Sequence, residues 1–93
     1  MTPDYKFGED VILQELKDYI DSTYNQHYAR TKFQATEFII DSGHGEGFAL
    51  GNIMKYTQRY GKKNGKNKAD LLKILHYAIM AMHVHKTNEE GKL

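Results

Sequence analysis

The chain has 93 residues, no cysteine and a formal net charge of +1 at pH 7. That length admits one small domain, and the lack of cysteine excludes a disulfide framework and any thiolate metal site. The near-neutral charge argues against a general nucleic-acid coat. No apolar run reaches the length of a membrane span, and the polar start Met1-Thr2-Pro3-Asp4-Tyr5-Lys6 has no signal-peptide core.

Residues 1–8 read as a loose lead-in. From Glu9 the apolar positions Val11, Ile12, Leu16, Tyr19 and Ile20 recur at helical spacing, with Glu9 and Asp10 in the first turn where the macrodipole favours acids. This predicts an amphipathic helix of roughly four turns, packing on its own domain or on a partner subunit. A polar, aromatic connector follows, Ser22 to Tyr28. Phe33, Ala35, Phe38, Ile39 and Ile40 then fit a short helix or a strand. Helix is favoured because it sets Glu37 and Asp41 on one face at i, i+4.

Ser42-Gly43-His44-Gly45-Glu46-Gly47 predicts a tight turn into the next helix. Glycine-rich loops before helices can cradle phosphate, but this one lacks the Lys-Ser/Thr ending of a phosphate loop. The central helix begins at Gly47 and closes at Gly61, a natural residue for a helix C-terminus. Ala49, Ile53, Tyr56 and Tyr60 form its apolar stripe, widened by Leu50 and Met54. Asn52, Lys55 and Arg59 form a second stripe, with Lys62 and Lys63 just beyond.

Asn67 reads as an N-cap, with Asp70 three residues on as an imperfect capping box. The last helix is expected over 68–86, its core face made by Leu71, Leu72, Leu75, Ala78, Ile79 and Met82. A frayed tail completes the chain over 88–93. The pattern predicts an all-α domain of about four helices. A domain this small buries a modest core, so a homo-oligomer is expected, held partly by the N-terminal helix.

Lys55, Arg59, Lys62, Lys63, Lys66 and Lys68 crowd together with no acid among them. On a neutral protein such a patch suits a compact phosphorylated anion more than a long polyanion. The plainer reading is a solvated face with cations near a helix C-terminus. Glu37 and Asp41 are the candidates for acid chemistry: carboxylates one turn apart can hold Mg2+ through water, or one can act as a general base. Their alternative is an exposed face, or ion pairs to Lys55 and Arg59. The five histidines include no i, i+4 zinc pair, so no metal site is expected. Tyr56, Tyr60 and Tyr77 can stack on a base, or serve as core. Asp70 and Lys73 read as an intrahelical pair.

His27-Tyr28, Glu37-Phe38-Ile39-Ile40-Asp41, Phe48-x-x-Gly51-Asn52-x-x-Lys55-Tyr56-x-x-Arg59-x-Gly61-x-Lys63, Asp70-Leu71-x-Lys73 and Tyr77 occur in one order. This order resembles the phage small nucleotide-kinase-like family, a domain of unknown function (DUF3310). The resemblance covers most of the chain, residues 27–77, and implies an all-helical, phage-encoded protein of the infected bacterial cytoplasm that handles nucleotides. Its kinase-like relative phosphorylates deoxynucleoside monophosphates without a classical phosphate loop and assembles into a large oligomer. Carried over by position, His27, Tyr28, Asn52, Lys55, Arg59, Lys63 and Asp70 become candidate ligand-binding residues, with Glu37 and Asp41 as candidate catalytic ones. The core spans 27–87, after an N-terminal helical segment within 1–26. This chain is shorter than the kinase-like relative, which leaves three functions open. They are nucleotide binding with or without phosphoryl transfer, Mg2+ entering only with the nucleotide; a non-enzymatic nucleotide sponge that counters host defence; and a regulatory binder of a host protein or nucleic acid.

Overall fold

The computed structural model describes residues 2–27 and 29–90. Helix α1 spans Glu9–Tyr24, with Glu9 and Asp10 in its first turn as the macrodipole favours. Glu9 also accepts a hydrogen bond from the Phe7 backbone N–H at 2.9 Å, which ties the lead-in to the helix. Leu16 and Thr23 are the buried residues of α1. The helix leans on the last helix through a Lys68–Glu15 ion pair and an edge-to-face contact of Tyr19 with His76, centroids 6.0 Å apart.

Helix α2, Ala29–Ile39, is followed directly by a π-helical segment, Ile40–His44, which kinks at Gly43 and leads into α3, Gly45–Arg59. The glycine-rich stretch, expected as a turn between helices, is instead a kink inside one helical run. Gly43 takes φ 91 there, a left-handed value that glycine adopts at little cost. The chain leaves helical geometry at this one residue and changes direction there. Helix α4 spans Lys68–Glu90 and takes in residues expected to fray. The helical residues therefore fall into three continuous runs, 9–24, 29–59 and 68–90, and no strand occurs among the described residues.

The α3–α4 link is a tight loop in which Gly61, Asn64 and Gly65 have φ of 88, 61 and 68. The Gly61 N–H donates to Gly65 O at 3.0 Å and closes it. Asn67 caps α4, its Oδ1 accepting from the Ala69 N–H at 2.9 Å. The reciprocal half of a capping box is missing. The Asn67 N–H donates to Gly65 O instead, which leaves the Asp70 carboxylate to turn toward α3.

The closest packing is between α3 and α4, which run antiparallel: Gly45 lies against Val84 at one end and Arg59 against Asp70 at the other. Ala49 is fully buried at this contact. On α4 the residues facing α3 are Asp70, Tyr77 and Val84, each seven apart. The expected core face was a different one. Leu71, Leu75, Ile79 and Met82 are exposed, and so are Leu50 and Met54 of α3. Helix α4 is apolar on nearly every side, so periodicity leaves its phase undetermined; close packing against Gly45 and Ala49 decides it.

Candidate functional site

Tyr56 stands on α3 one helical step from Lys55 and three from Arg59, and α4 brings Lys73 to the same ring. Lys73 Nζ lies 5.0 Å, Lys55 Nζ 5.1 Å and Arg59 Cζ 5.7 Å from the Tyr56 ring centroid. Each is within cation–π range, so one ring gathers three positive charges. Tyr56 itself is held by stacking on Tyr77, centroids 6.0 Å apart and planes 13° apart, and Tyr77 meets the Phe48 edge at 5.8 Å.

A single carboxylate answers these cations. Asp70 is 2 % exposed, and its Oδ1 lies 3.6 Å from Arg59 Nε. Arg59 Nε and Asp70 Oδ2 are both buried without a hydrogen-bond partner. One buried carboxylate cannot neutralise three cations, and like charges drawn together repel. An incoming anion relieves that repulsion.

Burial raises the Tyr19 and Tyr77 phenols above their ordinary pKa of 10.0, and the neighbouring Tyr56 adds to both shifts. Burial, followed by Lys32, lowers the His76 imidazole below 6.5 and favours its neutral form.

Of the residues singled out in the sequence, Lys55, Arg59 and Asp70 come together in this cluster. Asn52 is half-buried on α3 and donates from Nδ2 to its own helix, at Phe48 O, 2.8 Å away. One amide hydrogen is therefore committed before any ligand arrives. Lys63 is exposed on the loop after α3, its backbone N–H donating to Arg59 O at 3.3 Å. His27 lies in the turn between α1 and α2, and Tyr28 is outside the described residues.

Glu37 and Asp41 do not join the cations. Glu37 lines a cleft of about 390 Å³ between α1, α2 and α4, with Ile20, Phe33, His76 and Ile79 among its neighbours. Asp41 lines another of about 850 Å³ over the kink, beside Gly43, Glu46 and Thr87. Glu37 lies on α2, whereas Asp41 is already inside the π segment that carries the chain over the kink. Asp41 and Glu46 also make the glycine-rich segment an acidic cleft, a poor cradle for phosphate. Among the described residues no group of three His, Asp or Glu side chains is placed to hold a metal ion, and no helix is long and apolar enough to cross a membrane.

Lys73 is the member of the cluster that sequence reasoning left out of the site. It read as the partner of Asp70 at i, i+3, but Asp70 turns to Arg59 and Lys73 reaches Tyr56. The signal available was its place three residues after Asp70, which does not identify a cross-helix contact.

No curated protein and no solved structure matches this chain. Residues 22–79 match the profile of a family described as protein of unknown function (DUF3310). The match runs from the end of α1 through the kink to the middle of α4. It takes in Lys55, Tyr56, Arg59, Asp70 and Lys73 together. A match over more than half of its length means that the chain belongs to the DUF3310 family.

Proposed function

We propose that this protein binds a small phosphorylated ligand, a nucleotide, at Lys55, Arg59 and Lys73. One observation carries the reading: three cations converge on the Tyr56 ring over a single buried carboxylate. Arg59 can grip two phosphate oxygens with its planar fork, while the two lysines add compact charges. Lys63 on the adjoining loop and the remaining amide hydrogen of Asn52 extend the same anion-binding surface. Glu37 and Asp41, the carboxylates best suited to base chemistry, line separate clefts. This favours binding without phosphoryl transfer, as a sponge for nucleotides would require.

Lys55→Ala and Lys73→Ala are each expected to weaken binding of a nucleoside triphosphate about tenfold, since a charge-assisted bond contributes about 1.5–3 kcal/mol. Calorimetric titration at fixed salt measures this, and the melting temperature of each variant without ligand should stay near that of the parent. Unchanged affinity in both variants would remove the cluster from the site. Incubation with a labelled monophosphate and a triphosphate donor separates binding from transfer, and no labelled product is expected.

A second observation favours self-association. Leu50 and Met54 of α3 and Leu71, Leu75 and Met82 of α4 lie on one side of the antiparallel pair, with Met54 70 % and Met82 62 % exposed. Thr57 and Ala78 complete a face with no charged side chain at its centre, so it can pair with itself without repulsion. The radius of gyration is 15.1 Å, against about 12 Å for a compact chain of this length. We therefore assign a homo-oligomer contact to the α3–α4 face and a second copy of this chain, beside the N-terminal helix, where Val11, Ile12 and Leu13 are also exposed. Light scattering is expected to give an oligomer that Leu75→Glu with Met54→Glu converts to a monomer. A parent that is monomeric at micromolar concentration would sink the assignment.

A further inference from the structure

The cleft between α1, α2 and α4 has a chemistry of its own. Its volume of about 390 Å³ lies in the range of small-molecule sites, roughly 300–1,000 Å³. Its walls include the apolar side chains of Phe33 and Ile79, and its polar groups are few: Thr36, Glu37, His76 and His83. Phe33 is stacked on Tyr24, centroids 4.4 Å and planes 23° apart, and Tyr24 is 62 % exposed. The mouth of the cleft therefore carries an aromatic platform on which a further ring can stack.

The polar groups argue for the same kind of ligand. Glu37 accepts hydrogen bonds, Thr36 can only accept because its Oγ1 already donates to Lys32 O at 3.0 Å, and a neutral imidazole donates at one nitrogen and accepts at the other. A flat ring with alternating donors and acceptors on its edge satisfies such a set. A hydrocarbon chain would make no use of the half-buried His76 imidazole or of the exposed Glu37 carboxylate. We infer that this cleft binds the planar heteroaromatic ring of a nucleobase, with Glu37 reading the ring edge rather than acting in catalysis.

Helix α4 joins the cleft to the cation cluster. Lys73 and His76 are three residues apart on it, about 4.5 Å along the axis. Tyr19 meets His76 edge to face, and Tyr77, the next residue on α4, stacks on Tyr56. A nucleotide whose ring fills the cleft thus points its phosphates toward Lys73. The phosphate end rests on the function proposed above; the ring end stands on the cleft residues alone.

The test uses the full chain and two separate probes: unphosphorylated nucleosides (adenosine, guanosine, cytidine, thymidine) and inorganic pyrophosphate. In NMR titrations at least one nucleoside is expected to shift the Thr36 methyl and the His76 and His83 ring signals, leaving the Lys55 and Lys73 side chains unmoved. Pyrophosphate should do the reverse. Ile79→Trp, which fills the cleft from an exposed position, should weaken nucleoside binding at least about tenfold and leave pyrophosphate binding within about twofold. Thr36→Val, nearly isosteric, should weaken the same nucleoside if Ile79→Trp disturbs the fold. No nucleoside response at millimolar concentration, or undiminished nucleoside binding in the folded variants, overturns the ring site and leaves the cation site standing. Nucleoside binding in the cleft without any pyrophosphate response overturns the cation site alone.

Discussion

Replacing Asp70 with alanine is expected to destabilise the protein by about 3–5 kcal/mol, the usual cost of removing one partner from a buried ion pair. Asp70 is 2 % exposed and is the counter-charge 3.6 Å from Arg59 Nε, itself buried without a hydrogen bond. Without it, Arg59, whose side chain is 23 % exposed, keeps its charge beside two lysines with its buried Nε unpaired. Small domains have about 5–15 kcal/mol of total stability, so this loss lowers the melting temperature by more than about 10 °C or unfolds the chain. The damage should come from the stranded charge more than from lost packing. Arg59→Met combined with Asp70→Leu is therefore expected to melt well above Asp70→Ala, because it removes both charges and keeps the volume. Thermal and urea unfolding followed by circular dichroism measure both. If Asp70→Ala unfolds within about 1 kcal/mol of the parent, the pair carries no stability and Arg59 is solvated. The same logic makes Arg59→Ala a poor probe of ligand binding, since it strands Asp70.

Gly45→Ala is the second large effect expected. A Cβ built at Gly45 would lie 2.9 Å from Val84 Cγ2, 3.0 Å from Ile40 Cγ1 and 3.3 Å from Ile40 Cα. The last atom is backbone of the π segment and cannot rotate away. Two effects oppose each other. Alanine favours helix over glycine by up to about 1 kcal/mol. Overpacking costs about 1–3 kcal/mol and acts where α3 is closest to α4. The clash should win, giving a net loss of about 1–2 kcal/mol. Val84→Ala removes one of the colliding groups, so the double variant should be more stable than the sum of the single losses by about 1 kcal/mol. Additive losses would mean that α4 moves away freely at this end. Gly47, which has nothing within 4 Å of its virtual Cβ, is the control. Gly47→Ala is expected to be neutral or stabilising.

The sequence by itself determined the helical class, the starts of α1 and α4, and the stripe of α3. These are local properties. Glu9 and Asp10 meet a helix dipole, Asn67 bonds the Ala69 N–H two residues on, and Ala49, Ile53 and Tyr56 repeat on one helical face. Lys55 and Arg59 were legible as one cationic stripe because they sit one turn apart on one element. Tertiary structure decided the rest. The glycine-rich stretch reads as a turn, since glycine permits both a break and a kink, and only the packing of Gly45 against Val84 and Ile40 selects the kink. The phase of α4 was hidden because Leu71, Leu75 and Met82 are more apolar than Asp70 and Tyr77, which meet α3. A polar residue, Asp70, ended on the buried side because Arg59 stands opposite. Lys73 reached Tyr56, and Glu37 and Asp41 parted into separate clefts, for one reason. Sequence spacing orders side chains around one helix axis, while the meeting of two helices depends on how closely their backbones can approach.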